Sequence, residues 1–349
     1  MTMDALAHFS PVRPRLIAVD SDGCVLDSME VKQRRCFIPA TLDVWGLGEV
    51  EASVWEAAVF VNLYSRWRGT NRFVALAKTF ELLSRRREVR ERGVGLPDVA
   101  VLRRWLAGEA SPSDRTLARS TGVPPVARLA EDSKHVTADA HITGHRLPGG
   151  TLHGRDAHAT HGRDARATGC GRDVRATVLA TVLEWSREVD RRVERLAAGD
   201  VLPFSAVGAS LAALSAVADV VVVSAAPVAA LAREWSRCGL AGHVRWMAGQ
   251  ESGGKAALLR ALAARYAPGR AMMVGDAPAD LEAARGAGML FFPICPGDED
   301  ASWRRLVPAG LERFLDGDFA GPFEESLVAE FLNGLPEVPP WEENFPERT

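Results

Sequence analysis

The stretch Leu16–Ser28, LIAVDSDGCVLDS, opens with four apolar residues and breaks abruptly into Asp20, Asp22 and then Asp27. A short apolar run bounded by a polar turn reads as a strand buried on both faces, the kind found in a parallel sheet. Carboxylates crowded at its end repel one another and lose hydration. Either the strand ends at a water-filled loop, or something positive sits there. Asp27 has a simpler reading: with Glu30 three residues on, it forms the pattern of a helix-start capping box.

Working outward, the same grammar returns after Pro203. Asp219–Ser224 (DVVVVS), His243–Met247, Ala271–Asp276 (AMMVGD) and Leu290–Ile294 read as short buried strands. Helices fall near Val228–Cys238, Lys255–Tyr266 and Ala279–Gly286. Such alternation predicts an α/β fold, a Rossmann-like parallel sheet with helices on both faces. Strand one belongs to that sheet, so residues 1–28 and 200–349 form a core discontinuous in sequence. The intervening residues 29–199 form an inserted, mainly helical domain.

Within the insertion, VWEAAVFVNLYSRW and RFVALAKTFELLSRR carry apolar residues at three- and four-residue spacing, separated by RGTN. A short helix is expected over Pro97–Ala107 and a longer one over Val178–Ala197. Residues from about 111 to 177 differ in kind. GRDAHAT (154–160), GRDARAT (162–168) and GRDVRAT (171–177) form a near-tandem repeat, and six of the eight histidines lie between His135 and His161. The units are too few and too poor in apolar residues to stack as a solenoid, so a flexible surface insert is expected rather than a histidine-rich metal tract. The tail from Gly334, with PEVPPWEENFPERT, reads as an extended surface segment.

At 349 residues the chain has room for a core and a second domain. Lys+Arg 42 against Asp+Glu 45 leaves a formal charge of -3, and no global field recruits nucleic acid or an anionic membrane. The five cysteines are scattered and odd in number, which argues against a disulfide framework or a zinc site and points to a reducing cytoplasm. No secretion signal or membrane span is visible. Small, neutral-to-anionic partners fit better, and the oligomeric state is open.

Parallel strands end on one edge, so Asp20 and Asp22, Ser224, and Asp276 and Asp280 of GDAPAD converge although over 200 residues apart. Convergent carboxylates ask for a cation, and a few hard oxygen ligands suit Mg²⁺, which bridges to phosphate. A carboxylate attacking phosphorus gives an acyl-phosphate, and a second one two residues away can handle the proton. Lys255 can offset charge on the transferring phosphoryl group. In the insertion, Arg66, Arg68 and Arg72 surround the helix break and could grip an anionic substrate; a solvated helix–helix turn is the plainer alternative.

DSDGCVLDS, Ser224 in VVVVSAAP, Lys255, and VGDAPADLEAARGAGM together resemble the haloacid dehalogenase (HAD) superfamily, mostly Mg²⁺-dependent phosphatases. The four motifs occur in that family's order, and the helical insertion sits where a cap lies in its phosphoglycolate-phosphatase-like branch. The resemblance implies that Asp20 is nucleophile and Mg²⁺ ligand. Asp22 would be general acid and then base, its main-chain carbonyl also on the metal. Ser224 and the adjacent Ala225 would bind phosphoryl oxygens, Lys255 would hold nucleophile and phosphate together, and Asp276 and Asp280 would complete the metal set. Gly23 would let the backbone turn beside the phosphate. Apart from the resemblance, Arg68 is the arginine of the helix break expected to bind substrate. Cys24 replaces a common threonine. Asp22 disfavours carbon–halogen and carbon–phosphorus cleavage, whose branches lack it.

Three other readings stay open or fall away. A phosphomutase uses a similar aspartyl phosphate, and a non-catalytic phospho-ligand-binding member would be expected to have lost a motif. GQESGGKA matches the GxxxxGK of a nucleotide-binding loop, but Ala256 stands where Mg²⁺ needs a hydroxyl, and that scheme leaves DSDG unexplained.

Overall fold

The computed structural model describes residues 6, 9–109, 112–121, 166–197 and 199–342, with the backbone alone for 166–173. Five strands, β1 (Leu16–Val19), β2 (Asp219–Val223), β3 (Trp246–Ala248), β4 (Ala271–Gly275) and β5 (Leu290–Pro293), form one parallel sheet in the order β3-β2-β1-β4-β5. β1 is central, with Val19 opposite both Val222 and Val274. It is the Rossmann-like arrangement expected, although β3 begins at Trp246 rather than His243.

Strand residues alternate between two cores. Ile17, Val19, Val220, Val222, Met272 and Val274 face one side, packed with α9 (Val207–Val217), α10 (Val228–Arg237), α13 (Glu299–Arg305) and α14 (Leu311–Asp316). Leu16, Ala18, Val221, Val223, Ala271 and Met273 face the other, with α11 (Lys255–Ala263), α12 (Pro278–Gly286) and α15 (Pro322–Asn333). Burial on both faces is why these strands are continuous apolar runs rather than alternating ones.

The chain leaves the sheet after Leu26 and returns near Pro203, and the two crossings hydrogen-bond to each other: Asp27 N–H donates to Leu202 O at 2.8 Å and Phe204 N–H to Val25 O at 3.2 Å. Between them the described residues are helical: α1 (Met29–Lys32), continued through a π-helical stretch Gln33–Phe37 into α2 (Ile38–Trp45), then α3 (Glu51–Leu63), α4 (Arg72–Arg85), α5 (Arg87–Glu91), α6 (Val99–Gly108), α7 (Asp114–Thr121) and α8 (Arg166–Glu194). They share a third core in which Phe73 meets Trp105 edge-on at 5.3 Å and Trp45 meets Phe80 at 4.8 Å.

Two expectations change here. The capping box on Asp27 does not form: Ser28 is the residue before α1, no side chain caps that helix, and Glu30 pairs with Arg34 and Tyr64. The Ser28 hydroxyl is drawn to Asp22 instead, an ionised carboxylate being the stronger acceptor. The insert expected over 111–177 also shrinks, because 114–121 is helical and α8 begins at Arg166, so GRDVRAT belongs to a helix. Alanine, arginine and threonine in that unit permit a helix that the repeat pattern disguised. The first repeat and the histidine-rich stretch lie outside the described residues. No helix among the described residues is long and apolar enough to cross a membrane.

Candidate active site

Main-chain register builds the site. Asp20 follows Val19, its N–H donating to Val274 O at 3.0 Å, and Asp276 lies two residues beyond that same Val274. Ser224 lies two residues beyond Val222, on the other flank of β1. The loop after β1 is pinned from below: Trp235 Nε1 donates to Ser21 Oγ at 2.9 Å, and Trp303 Nε1 donates to Cys24 O at 2.8 Å. Two fully buried tryptophans therefore hold this loop. Cys24 is fully buried, with Sγ 3.6 Å from Val274 O, so a compact apolar side chain suits its place.

Asp20, Asp276 and Asp280 each present an oxygen within 4.8 Å of the others. Lys255, at the start of α11, reaches into this cluster, with Nζ 3.1 Å from Asp20 Oδ2 and 2.5 Å from Asp280 Oδ1. Burial pushes the Asp20 carboxyl up to about 7 against the pull of Lys255, with Asp280 and Asp276 adding to the rise. Burial likewise raises Asp276 to about 6, while the guanidinium of Arg68 works to lower it. Burial by itself would lower Lys255, but Asp20 and Asp280 outweigh it and hold the ammonium well above its ordinary value.

Asp22 is engaged elsewhere. Its Oδ1 accepts from Ser28 Oγ at 2.5 Å and from Lys32 Nζ at 2.7 Å. Burial opposes ionisation, but Lys32 and Ser28 prevail and keep this carboxyl below its usual range. Lys32 escaped the sequence reading, although a signal was present: Ser28 and Lys32 are four apart, so one helical turn puts both on the face that meets Asp22.

Arg68 departs from its expected role. It is only 3% exposed, and its Nε and NH2 reach Asp276 Oδ2 at 2.8 and 2.7 Å. Nε also reaches Asp276 O, NH1 reaches Leu63 O at 2.9 Å, and NH2 reaches Gly23 O at 3.5 Å. Buried guanidinium must be paired, and here the pairing is with the candidate site itself rather than left open for a substrate anion. Arg66 and Arg72 are also occupied, on Leu335 O and on Ser186 and Asp190. Gly23 has φ +79, and a Cβ there would lie 2.6 Å from Arg68 NH2, Asp276 Oδ2 and Met29 Cγ, so only glycine fits. Ser224 is buried, with Oγ accepting from Ala226 N–H at 3.2 Å, and Ala225 is exposed beside it.

Four carboxylates (Asp20, Asp22, Asp276, Asp280) thus meet three cations (Lys32, Lys255, Arg68), leaving negative charge in excess. Asp276 Oδ1 is buried with no hydrogen-bond partner among the described residues. A carboxylate with an orphaned oxygen, in a cluster whose three members each offer an oxygen within 4.8 Å of the others, is a donor set that fits a hard divalent cation.

No protein-family model and no curated protein sequence matches this chain. Solved structures do. A haloacid dehalogenase-like hydrolase from Streptococcus pneumoniae is 13% identical, with 84% of this chain and 91% of that one covered and a TM-score of 0.36. A predicted phosphoglycolate phosphatase from Haemophilus somnus is 14% identical over 80% and 84%, with a TM-score of 0.34. A defluorinating L-2-haloacid dehalogenase is 12% identical over 83% and 86%, with a TM-score of 0.31.

Proposed function

We propose that this chain is a HAD-type phosphatase, a phosphoric monoester hydrolase that acts on a small phosphorylated metabolite through an aspartyl-phosphate on Asp20. The observation that carries the reading is the bridge of Lys255 between Asp20 and Asp280, inside a carboxylate cluster at the end of the central strand. A half-buried ammonium in contact with a candidate nucleophile compensates charge where a phosphoryl group would arrive.

Asp20, Asp276 and Asp280 would hold Mg²⁺, with Asp22 adding its main-chain carbonyl as the resemblance implies. When bound, Mg²⁺ supplies positive charge to the phosphoryl oxygens and lowers the barrier to attack by an anion. An oxygen of Asp20 attacks phosphorus, the bond to the ester oxygen breaks, and Asp22 delivers a proton to the departing alkoxide. Asp22, now ionised, takes a proton from water as that water attacks the phosphorus of the Asp20 acyl-phosphate. Orthophosphate leaves and Asp20 is restored. Asp22 is held ionised by Lys32 and Ser28, the form that this second half requires. The proton it hands to the alkoxide in the first half is therefore one it takes from the bound phosphomonoester monoanion, and the proton it then takes from water leaves with orthophosphate.

Ser224, Ala225 and Gly23 would contact the phosphoryl oxygens through hydroxyl and main-chain N–H groups. The helical region between the two crossings would act as the cap, its Arg68–Gly69 turn seated on Asp276 and excluding water. Asp22 favours ester hydrolysis over carbon–halogen cleavage within the family that the motifs resemble.

The test is phosphate release across a panel of phosphorylated metabolites, with Mg²⁺ and with chelator, beside Asp20→Asn. Turnover of at least one phosphomonoester is expected, abolished by chelation and by the substitution. Release that Asp20→Asn leaves intact would overturn the reading; a requirement for a bisphosphate would turn it into a mutase.

A further inference from the structure

We propose that Arg68 is a positioning residue for the cation site: it fixes Asp276 by one oxygen and turns the other to the metal, so that cation affinity depends on the helical region being docked. This inference rests on the phosphatase reading above.

The geometry is asymmetric. Both guanidinium donors nearest Asp276 fall on the same oxygen, Oδ2, at 2.7 and 2.8 Å, whereas Oδ1 is buried without a partner among the described residues. A carboxylate that bound arginine through both oxygens would leave none to a metal. This one keeps an oxygen in reserve. An unsatisfied buried acceptor is costly, and a cation at Oδ1 would remove that cost.

Arg68 is also held too firmly to act as a displaceable lid. NH1 also donates to Leu63 O and NH2 to Gly23 O, main-chain carbonyls on either side of the junction. The next residue, Gly69, has φ +72, and a Cβ there would collide with the Ala277 Cβ. The turn Arg68–Gly69 is therefore shaped to sit on Asp276–Ala277. Partners that orient a metal-binding side chain commonly change metal affinity by about 10–100-fold. By linkage, whatever the docked turn contributes to cation binding, the cation returns to docking of the turn. Repulsion between guanidinium and cation acts in the opposite sense, so the sign of the effect is decisive.

The experiment measures Mn²⁺ binding by electron paramagnetic resonance and calorimetry on wild type, Arg68→Met, Arg68→Lys and Arg245→Met. No substrate is present. Wild type should bind Mn²⁺, and Arg68→Met should bind about 10–100-fold more weakly. Arg68→Lys should also weaken binding, because one ammonium cannot span Asp276, Leu63 and Gly23; it decides the matter if the methionine variant fails to fold. Arg245→Met, which disturbs a distant ion pair with the buried Asp219, should leave affinity unchanged. Mn²⁺ should slow amide exchange across 63–71 in wild type and not in the Arg68 variants.

Equal or tighter binding by the Arg68 variants, equal weakening in Arg245→Met, or faster exchange on adding Mn²⁺ would each overturn the inference while leaving the phosphatase reading standing. Absence of Mn²⁺ binding in wild type would remove both.

Discussion

Lys255 Nζ lies 2.5 Å from Asp280 Oδ1, joining the first residue of α11 to the first turn of α12 beneath the end of β1. A helix N-terminus disfavours a cation, and the lysine is tolerated there because two buried carboxylates outweigh the dipole. Replacing it strands both. Lys255→Met is expected to lower unfolding stability by about 3–5 kcal/mol, the usual cost of removing one partner from a buried ion pair. Urea unfolding checks this, and phosphate release should vanish in parallel. A variant as stable as wild type would mean that Asp20 and Asp280 do not depend on the ammonium.

Gly23 offers a sharper local test. An alanine at φ +79 costs about 1–3 kcal/mol in backbone strain alone. Its Cβ would also press at 2.6 Å on Arg68 and Asp276, which are locked to each other. Gly23→Ala is therefore expected to lower the midpoint of thermal unfolding and to weaken Mn²⁺ binding together. A loss of stability with cation affinity intact would show that the crowding stops short of the carboxylates.

Far from the site, Asp219 organises the start of β2. Buried, it accepts from the N–H groups of Val12 and Arg13 at 2.8 and 3.1 Å, from Arg245 at 2.8 Å and from Tyr266 Oη at 2.8 Å. Burial alone would raise its carboxyl, but these donors outweigh it and hold the value below the ordinary range. A folded value below the unfolded one stabilises the protein above the unfolded pKa of about 3.9, and that contribution is lost as pH falls through the folded value. The stability gap between wild type and Asp219→Asn should be full at neutral pH and close below pH of about 4. Urea midpoints at a series of pH values measure it; a gap that widens in acid would contradict the assignment.

The C-terminal tail is more than a surface segment. After α15, Leu335 O accepts from Arg66 Nε at 2.7 Å, and Trp341 packs edge-on against Phe60 at 5.6 Å with Arg86 4.7 Å from its ring. The tail thus runs from the sheet onto the helical region. Trp341→Ala is expected to cost about 1–3 kcal/mol from lost area and ring contacts. It should also raise protease sensitivity after residue 334. No change in either would mean that the contact is incidental.

Much of this was legible in order along the chain. β1, β2, β4 and β5 announced themselves because a strand covered on both faces reads as a continuous apolar run, and the candidate residues Asp20, Ser224 and Asp276 stand where three of those runs end. Asp20 and Asp276 were readable for that reason, and the register of β1 and β4 brings them together; Asp280 and Lys255 stand at the starts of α12 and α11, which deliver them to the same edge. The pair Asp22–Lys32 was half legible, through one helical turn. Asp27 misled because a capping pattern describes local preference, and the Ser28 hydroxyl had a stronger acceptor nearby.

By itself the sequence determined the parallel sheet, the interruption between its first and second strands, and which carboxylates gather at the edge, since hydrophobic periodicity and strand ends are local properties. Only the tertiary structure decided that Arg68 pairs with Asp276, that Gly69 seats against Ala277, and that Trp341 closes over Phe60. Those contacts join residues about 200 or more positions apart through side-chain charge and shape. No pattern along a chain encodes which buried arginine will find which buried aspartate: the choice is made by desolvation, once folding has removed water from both.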